Sequence, residues 1–281
     1  MGKLRRLDSE MVRRQLARSR TQAAQLIAAG QVKVSGETVL KAARQIDPAE
    51  PIVLDEAAAD QYVSRGAFKL AGALDYLGDK APKINGALCL DAGASTGGFT
   101  DVLLRRGAQK VTSVDVGYGQ LAWSLQSDPR VEVMDRTNVR NLQPEQLPYR
   151  PEILVGDLSF ISLTLIIPAL ARCALPTANY LLMVKPQFEI GKELLGAGGV
   201  VRNPDHHEQT VNTVAKCALE NGLKVQAVAP SPLPGPAGNV EYFLHLSGPE
   251  TEGGLSAEEI PQAIATAVAA RPQAEKDGHH A

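Results

Sequence analysis

The 281-residue chain has little cysteine. Cys89, Cys173 and Cys217 each sit in an apolar stretch, with no Cys-x-x-Cys and no Cys/His cluster. That excludes a disulfide framework, gives no metal-ligand spacing, and favours a reducing, cytoplasmic setting. Long hydrophobic runs are missing too. The most apolar segment, 160–171, holds Ser162, Thr164 and Pro168 and is too short to span a bilayer. It reads as a buried helix. The basic N-terminus has no apolar core behind it, so neither a signal peptide nor stable membrane association is expected. Net charge is also small, at −2. As an average it gives no hint of an anionic partner. With 44% hydrophobic and 21% charged residues, a wholly disordered chain is excluded.

What is there is an asymmetry. Residues 1–45 hold ten Lys and Arg against three acids, Asp8, Glu10 and Glu37, while the remainder is acidic. A basic module on an acidic body is a signature of nucleic-acid interaction. Arg5-Arg6-Leu7-Asp8 is expected to open a helix bearing Met11, Val12 and Leu16. Ser19 with Gln22 reads as a capping box for a second helix, closed at Gly30. Val32-Lys33-Val34, the turn Ser35-Gly36 and another strand complete a small α+β unit. Arg5, Arg6, Arg13, Arg14, Arg18, Arg20 and Lys33 are its candidate RNA contacts. Pro48, Pro51 and an acidic run lead to a linker, giving domains 1–59, linker 60–63, 64–250, and a tail 251–281.

Beyond the linker, Ser64 is expected to cap a helix to about Leu77, with Phe68, Leu70, Ala71 and Leu74 inside. Strand-like and helix-like runs then alternate. Strands are expected at 87–91, 110–115, 131–134, 152–157, 180–185, 223–228 and 240–246. Alternation implies an α/β fold with a parallel sheet. The last two strands are separated only by a proline-rich segment, so they pair antiparallel, making a seven-stranded mixed sheet. Ser256 and Glu259 cap a C-terminal helix carrying Ile260, Ile264 and Val268, with a frayed end.

The first strand of this sheet runs into Asp91-Ala92-Gly93-Ala94-Ser95-Thr96-Gly97-Gly98-Phe99. The spacing is neither that of a dinucleotide fingerprint nor that of a P-loop. An acid followed by glycines suits a ligand with an amino-acid moiety, its ammonium on the carboxylate and its carboxylate on backbone N–H groups. S-adenosylmethionine (SAM) is such a ligand. Asp115 ends the next strand, where a carboxylate accepts ribose hydroxyls. Asp135, Arg136, Thr137 and Asn138 follow the third and are candidates for the adenine edge. Asp157 ends the fourth. Four strand-end acids in order, plus the glycine turn, favour SAM over a nucleotide phosphate.

Four further polar residues stand out in apolar settings: Lys69, Asp157, Lys185 and Glu241. With Arg6-Leu7-Asp8, Ser19-Arg20 and Ala28 to Val34, with Leu90 to Thr100 and Asp115 to Trp123, and with Ser231 to Pro236, they carry a resemblance. The chain resembles the TlyA family, ribosomal RNA 2′-O-methyltransferases with an S4 RNA-binding domain and an FtsJ-like catalytic domain. The resemblance runs from Arg6 to about Ser247. It implies a Rossmann-like SAM-dependent methyltransferase and a Lys-Asp-Lys-Glu tetrad at Lys69, Asp157, Lys185 and Glu241. It also implies methylation of a cytidine 2′-hydroxyl in ribosomal RNA within one or both ribosomal subunits. The extended N-terminus and the C-terminal helix look like the dual-substrate type. One departure is Gln61-Tyr62-Val63, which lacks a basic residue before the aromatic.

In that frame Lys185 takes the hydroxyl proton, or else the tetrad acts chiefly by alignment. Arg65 and Lys192 join Lys69 and Lys185 as local cations for RNA. A monomer is favoured. Rival readings are a non-enzymatic RNA-binding protein and a membrane-lytic haemolysin. An amine methyltransferase lacks its Asn/Asp-Pro-Pro-aromatic turn here, and a cytosine C5 enzyme lacks a suitable cysteine. No metal site is expected: His206-His207 with Asp205 reads as a helix start. Gly196–Gly199 reads as a loop beside the catalytic strand, and Trp123 as a core residue.

Overall fold

The computed structural model describes residues 4–14, 16–17, 19–54, 62–191, 193–235 and 237–272. Arg18, the first two residues of the expected linker (60–61, including Gln61), Lys192, Pro236 and the end of the tail lie outside the described residues. The chain divides into two compact units, Met1–Tyr62 and Val63–Ala281.

In the first unit Arg5–Arg6 do not open a helix. They form β1, paired antiparallel with β4 (Gln45–Ile46). The reason lies in the next two amides, since Leu7 N bonds Arg44 O and Asp8 N bonds Ala42 O. Helix α1 (Leu7–Arg13) follows and stops short of Leu16, which packs on the core from beyond it. Helix α2 (Arg20–Ala28) starts with the Ser19 side chain accepting from Gln22 N. It ends in a Schellman closure: Gly30, at φ +72, donates to Ile27 O, and Gln31 N donates to Leu26 O. The strands β2 (Val32–Val34), β3 (Glu37–Thr38) and β5 (Ile52–Leu54) form one sheet, ordered β3–β2–β5. The third strand was hidden in the sequence by its shortness and by Pro48 and Pro51. Leu7, Met11, Leu26, Ile27, Val32, Val34 and Ile46 fill the core.

Two acids are buried in this basic unit. Asp8 binds Arg6 and Arg20, and Glu10 binds Arg13 and Arg14. Arg14 also donates to the carbonyls of Pro48 and Glu50 at 2.7 Å, so it braces the fold as well. The Glu10 carboxyl is held down at about 2, first by the Arg13 hydrogen bond, against the cost of burial. A lowered carboxyl stabilises above its ordinary range and loses that contribution as pH falls toward the folded value. Stability of this unit should therefore drop as pH falls from about 4.5 to about 2. Hydrogen exchange across residues 5–52 of the full chain checks this, and Glu10→Gln should flatten part of the drop.

The second unit is built on a seven-stranded sheet. Its strands are β6 (Leu88–Ala92), β7 (Lys110–Val114), β8 (Val131–Met134), β9 (Ile153–Gly156), β10 (Asn179–Val184), β11 (Lys224–Pro230) and β12 (Tyr242–Ser247). The order is β11–β12–β10–β9–β6–β7–β8. β6 to β10 run parallel, and β12 inserts antiparallel between β10 and β11. Continuous apolar runs such as Tyr180 to Val184 suit strands covered on both faces. From β6 the chain winds first toward β8 and then back through β9, so the strand order reverses between β6 and β9. Ligands bind at such switch points, beyond the carboxyl ends of the strands.

Helix α3 (Gly66–Leu77) corrects two expectations. Its buried stripe is Ala67, Leu70, Ala73, Leu74 and Leu77, and Phe68 falls off that stripe, about half exposed. Ser64 does not cap it; Arg65 holds the N-cap position without a side-chain bond. Segment 160–171 is not one buried helix either. Phe160 is 91% exposed, a 3-10 turn follows, and α6 (Ile167–Cys173) carries Pro168 in its first turn, where proline is tolerated.

Beyond the glycine turn come α4 (Gly98–Arg105), α5 (Trp123–Gln126), α7 (Pro186–Glu189), α8 (Pro204–Glu220) and α9 (Glu259–Ala269). Trp123 is about half exposed rather than core, because α5 is a single turn whose Leu125 takes the inward position. Asn203, not Asp205, caps α8, since Pro204 occupies the first turn. Gly196–Gly199 includes a 3-10 turn at Ala197–Gly199. Before α9, Ser256 and Glu259 make both bonds of a capping box, and Ile260, Ile264 and Val268 are buried.

Candidate active site

A cavity of about 390 Å³ opens at the carboxyl ends of β6, β7 and β9. Gly93, Ser95, Asp115, Val116, Gln120, Asn138, Asp157, Leu158, Ser159, Phe160 and Ile166 line it. Gly93 follows β6 at φ +83, and a Cβ there would lie 3.0 Å from the Asp157 carbonyl. Glycine suits both this positive φ and the close approach of the turn after β6 to the end of β9. Gly97 caps α4 in the left-handed region, with Leu121 and Leu125 where a Cβ would go. Gly98 abuts Ala67, and Phe99 packs on Phe243. The turn thus has two jobs. Gly93 and Ser95 face the cavity, whereas Gly97, Gly98 and Phe99 dock helices against the sheet.

Asp91 is fully buried. Its Oδ2 accepts from Thr100 N and Thr100 Oγ1, and its Oδ1 has no hydrogen-bond partner. Burial pushes this carboxyl up to about 7, with Asp157 and Asp115 adding repulsion against the Thr100 bonds. Asp115 lines the cavity with both oxygens ordered, Oδ2 by Ser95 N at 2.8 Å and Oδ1 by Gly117 N at 2.7 Å. Asp135 instead accepts from Gly119 N, and Arg136, at φ +53, lies 4.3 Å from the Tyr118 ring centroid. Both shape the 117–120 loop, and Asn138 is the member of that group on the cavity wall.

The four polar residues singled out in the sequence meet as two ion pairs. Val184 on β10 faces Tyr242 on β12, so Lys185 and Glu241 are the next residues outward at the same sheet end. Asp157 follows β9 at that end. Lys185 Nζ lies 2.6 Å from Asp157 Oδ1, and Lys69 Nζ lies 2.5 Å from Glu241 Oε2. Both lysines are nearly buried, at 7% exposure, and Glu241 is at 1%. Phe160 extends beside them at φ +63, its ring 5.2 Å from that of Phe188. The missed residue is Ser159, whose Oγ sits 2.9 Å from Lys185 Nζ. A small hydroxyl two positions after a strand-end acid was the available signal.

The S4 domain family model matches residues 5–52, and the FtsJ-like methyltransferase model matches residues 62–247. A Mycobacterium tuberculosis protein named 16S/23S rRNA (cytidine-2′-O)-methyltransferase TlyA is 49% identical over 97% of this chain and 100% of its own length. The chain belongs to the TlyA family of FtsJ-like methyltransferases. A Campylobacter jejuni relative named 23S rRNA (cytidine-2′-O)-methyltransferase TlyA is 30% identical over 83% of this chain and 96% of its own. A solved structure described as a hemolysin from Streptococcus thermophilus superposes with TM-score 0.68 at 36% identity, covering 95% and 96% of the two chains. The enzyme is thus a methyltransferase, and the methyl donor of its family is SAM.

The cysteines offer no nucleophile. Cys89 and Cys173 are buried, Cys217 is half-buried, and burial pushes the Cys89 thiol up to about 12. Among the described residues no helix is long and apolar enough to cross a membrane, and no His, Cys, Asp and Glu group is arranged to hold a metal. His207 is instead a core residue between Val201 O and Tyr242 Oη. Of the candidate RNA contacts, Arg65 is exposed at the start of α3.

Proposed function

We propose that the enzyme methylates a cytidine 2′-hydroxyl in ribosomal RNA, acting on ribosomal subunits as a cytoplasmic monomer. The observation that carries this reading is the pair of nearly buried lysine–carboxylate contacts, Lys185–Asp157 and Lys69–Glu241, beside a cavity with strand-end acids. The relatives' names point to the same substrate. The likeness to the 16S/23S relative, over the whole of that protein's length, supports action on both subunits. We assign residues 1–59 to RNA binding, with 60–63 as linker, 64–250 to methyl transfer and 251–281 to the tail. Arg5, Arg6, Arg13, Arg14, Arg20, Lys33 and Arg65 are the described cations assigned to RNA.

The residues fit the donor. The unpartnered Oδ1 of buried Asp91, the Cβ-free surface at Gly93 and the cavity together suit a cationic amino-acid moiety. Asp91 would face its ammonium, Ser95 its carboxylate, and Asp115 its ribose hydroxyls. When bound, the donor supplies an electrophilic sulfonium methyl. Lys185 would receive the proton leaving the ribose hydroxyl after giving up one of its own to solvent, or, kept as an ammonium, would steady the charge developing on that oxygen while the proton leaves to water. Asp157 holds Lys185 by charge, and Glu241 holds Lys69 beside it. Placement of the hydroxyl in line supplies much of the rate, since alignment alone is worth roughly 7–11 kcal/mol.

Because the Asp91 carboxyl titrates at about 7, donor binding should tighten with pH. Below that value the group is largely neutral and lacks a charge for the ammonium. SAM affinity measured by calorimetry should rise from about pH 6 to about pH 7.5, and Asp91→Asn should weaken it and flatten the rise. Transfer of labelled methyl from SAM to isolated 16S and 23S subunits tests the whole reading. Incorporation into neither would overturn it.

A further inference from the structure

Ser159 stands outside the four residues assigned to the chemistry, yet it holds one of them. Lys185 Nζ lies over the Phe188 ring, 5.9 Å from its centroid, and has two polar side-chain neighbours of different character. Asp157 Oδ1 is 2.6 Å away, but the contact lacks hydrogen-bond geometry, and that oxygen is buried without a hydrogen-bond partner. The directional bond goes to Ser159 Oγ at 2.9 Å. Charge attraction depends on distance and leaves an amino group free to spin about Cε–Nζ. A hydrogen bond depends on angle and stops that spin.

The loop bearing Ser159 is itself fixed. Ser162 Oγ donates to Glu189 Oε2 at 2.5 Å, and Leu163 N donates to Glu189 Oε1 at 2.8 Å. Glu189 closes α7, the short helix that begins next to Lys185. Between them Phe160 is held at φ +63, a backbone state that a bulky residue keeps only where its surroundings enforce it. Ser159 also lines the cavity. The hydroxyl is therefore held in fixed relation both to Lys185 and to the cavity assigned to the methyl donor.

We infer that Ser159 is a positioning residue of this methyltransferase: its Oγ orients Lys185 Nζ so that a remaining position on the nitrogen faces the reacting hydroxyl. The inference rests on the role proposed for Lys185. A positioning loss is read in turnover and not in binding. Ser159→Ala should lower kcat roughly tenfold, with the RNA KM and the SAM Kd within about twofold of the parent. Ser159→Thr, which keeps the hydroxyl, should recover most of the rate, and the isosteric Ser159→Val should not. Lys185→Ala is assayed alongside. If Lys185→Ala is inactive while Ser159→Ala turns over normally, the inference about Ser159 is overturned and the role of Lys185 stands. If Lys185→Ala keeps its rate, the underlying reading fails. A changed KM or Kd at unchanged kcat makes Ser159 a binding group and also overturns the inference. Should Ser159→Ala fold poorly, the Thr and Val variants decide it, since equal rates in the two contradict a role for the hydroxyl.

Discussion

Lys185→Ala should lower methyl transfer by on the order of 10²–10⁴-fold, the range for losing a positioned proton-transfer group. SAM and RNA binding should survive, because the groups assigned to the donor are Asp91, Ser95 and Asp115 and the basic N-terminal unit is untouched. Single-turnover assays on ribosomal subunits, with binding measured separately, check this. Near-normal turnover would mean that the proton leaves by another route. Loss of SAM binding in step with turnover would mean that Lys185 is a cofactor group.

Glu241→Ala should destabilise the enzyme by about 3–5 kcal/mol, because it strands the Lys69 ammonium in a nearly buried site without its partner. Urea unfolding measures the loss. The matched double change Lys69→Met with Glu241→Leu should return most of the stability, since a packed apolar pair replaces a buried ion pair at little cost. It should still be inactive. That combination, stable and dead, would show that the pair is kept for chemistry. A single Glu241→Ala variant as stable as the parent would contradict the burial argument.

The sheet was legible in the sequence because its strands are apolar runs of four to seven residues bounded by turns and acids. Every strand of the second unit lies within two residues of its expected place. The antiparallel pairing of β11 with β12 followed from the prolines between them, but the insertion of β12 beside β10 did not, because pairing order leaves no local mark. Helix faces were harder. Phe68 and Trp123 are apolar residues that the packing leaves outside, and composition does not report which face is covered. Ser64 looked like a cap, yet its hydroxyl sits where a Cβ on Gly98 would go, a long-range proximity absent from any local pattern.

In the site, the strand-end acids carried the cofactor reading and the tetrad came from resemblance. The division of labour inside the glycine turn was not legible. Gly93 and Gly97 differ only in what lies opposite them, Asp157 in one case and Leu121 with Leu125 in the other. Ser159 was missed because its meaning depends on Lys185, which is 26 positions away in sequence. Likewise the charge of the basic unit was visible, but the burial of Asp8 and Glu10 beneath its arginines was not. Those acids fix where the guanidinium groups point, and RNA affinity should still fall steeply with salt as phosphate contacts are screened.

The most direct measurement is the chemical position of the methyl group. Ribosomal RNA treated with the enzyme and SAM is digested to nucleosides and analysed by mass spectrometry beside RNA treated with Lys185→Ala. The account predicts 2′-O-methylcytidine in the first sample and its near absence in the second. A methyl group on a base, or on a ribose other than that of cytidine, would contradict it.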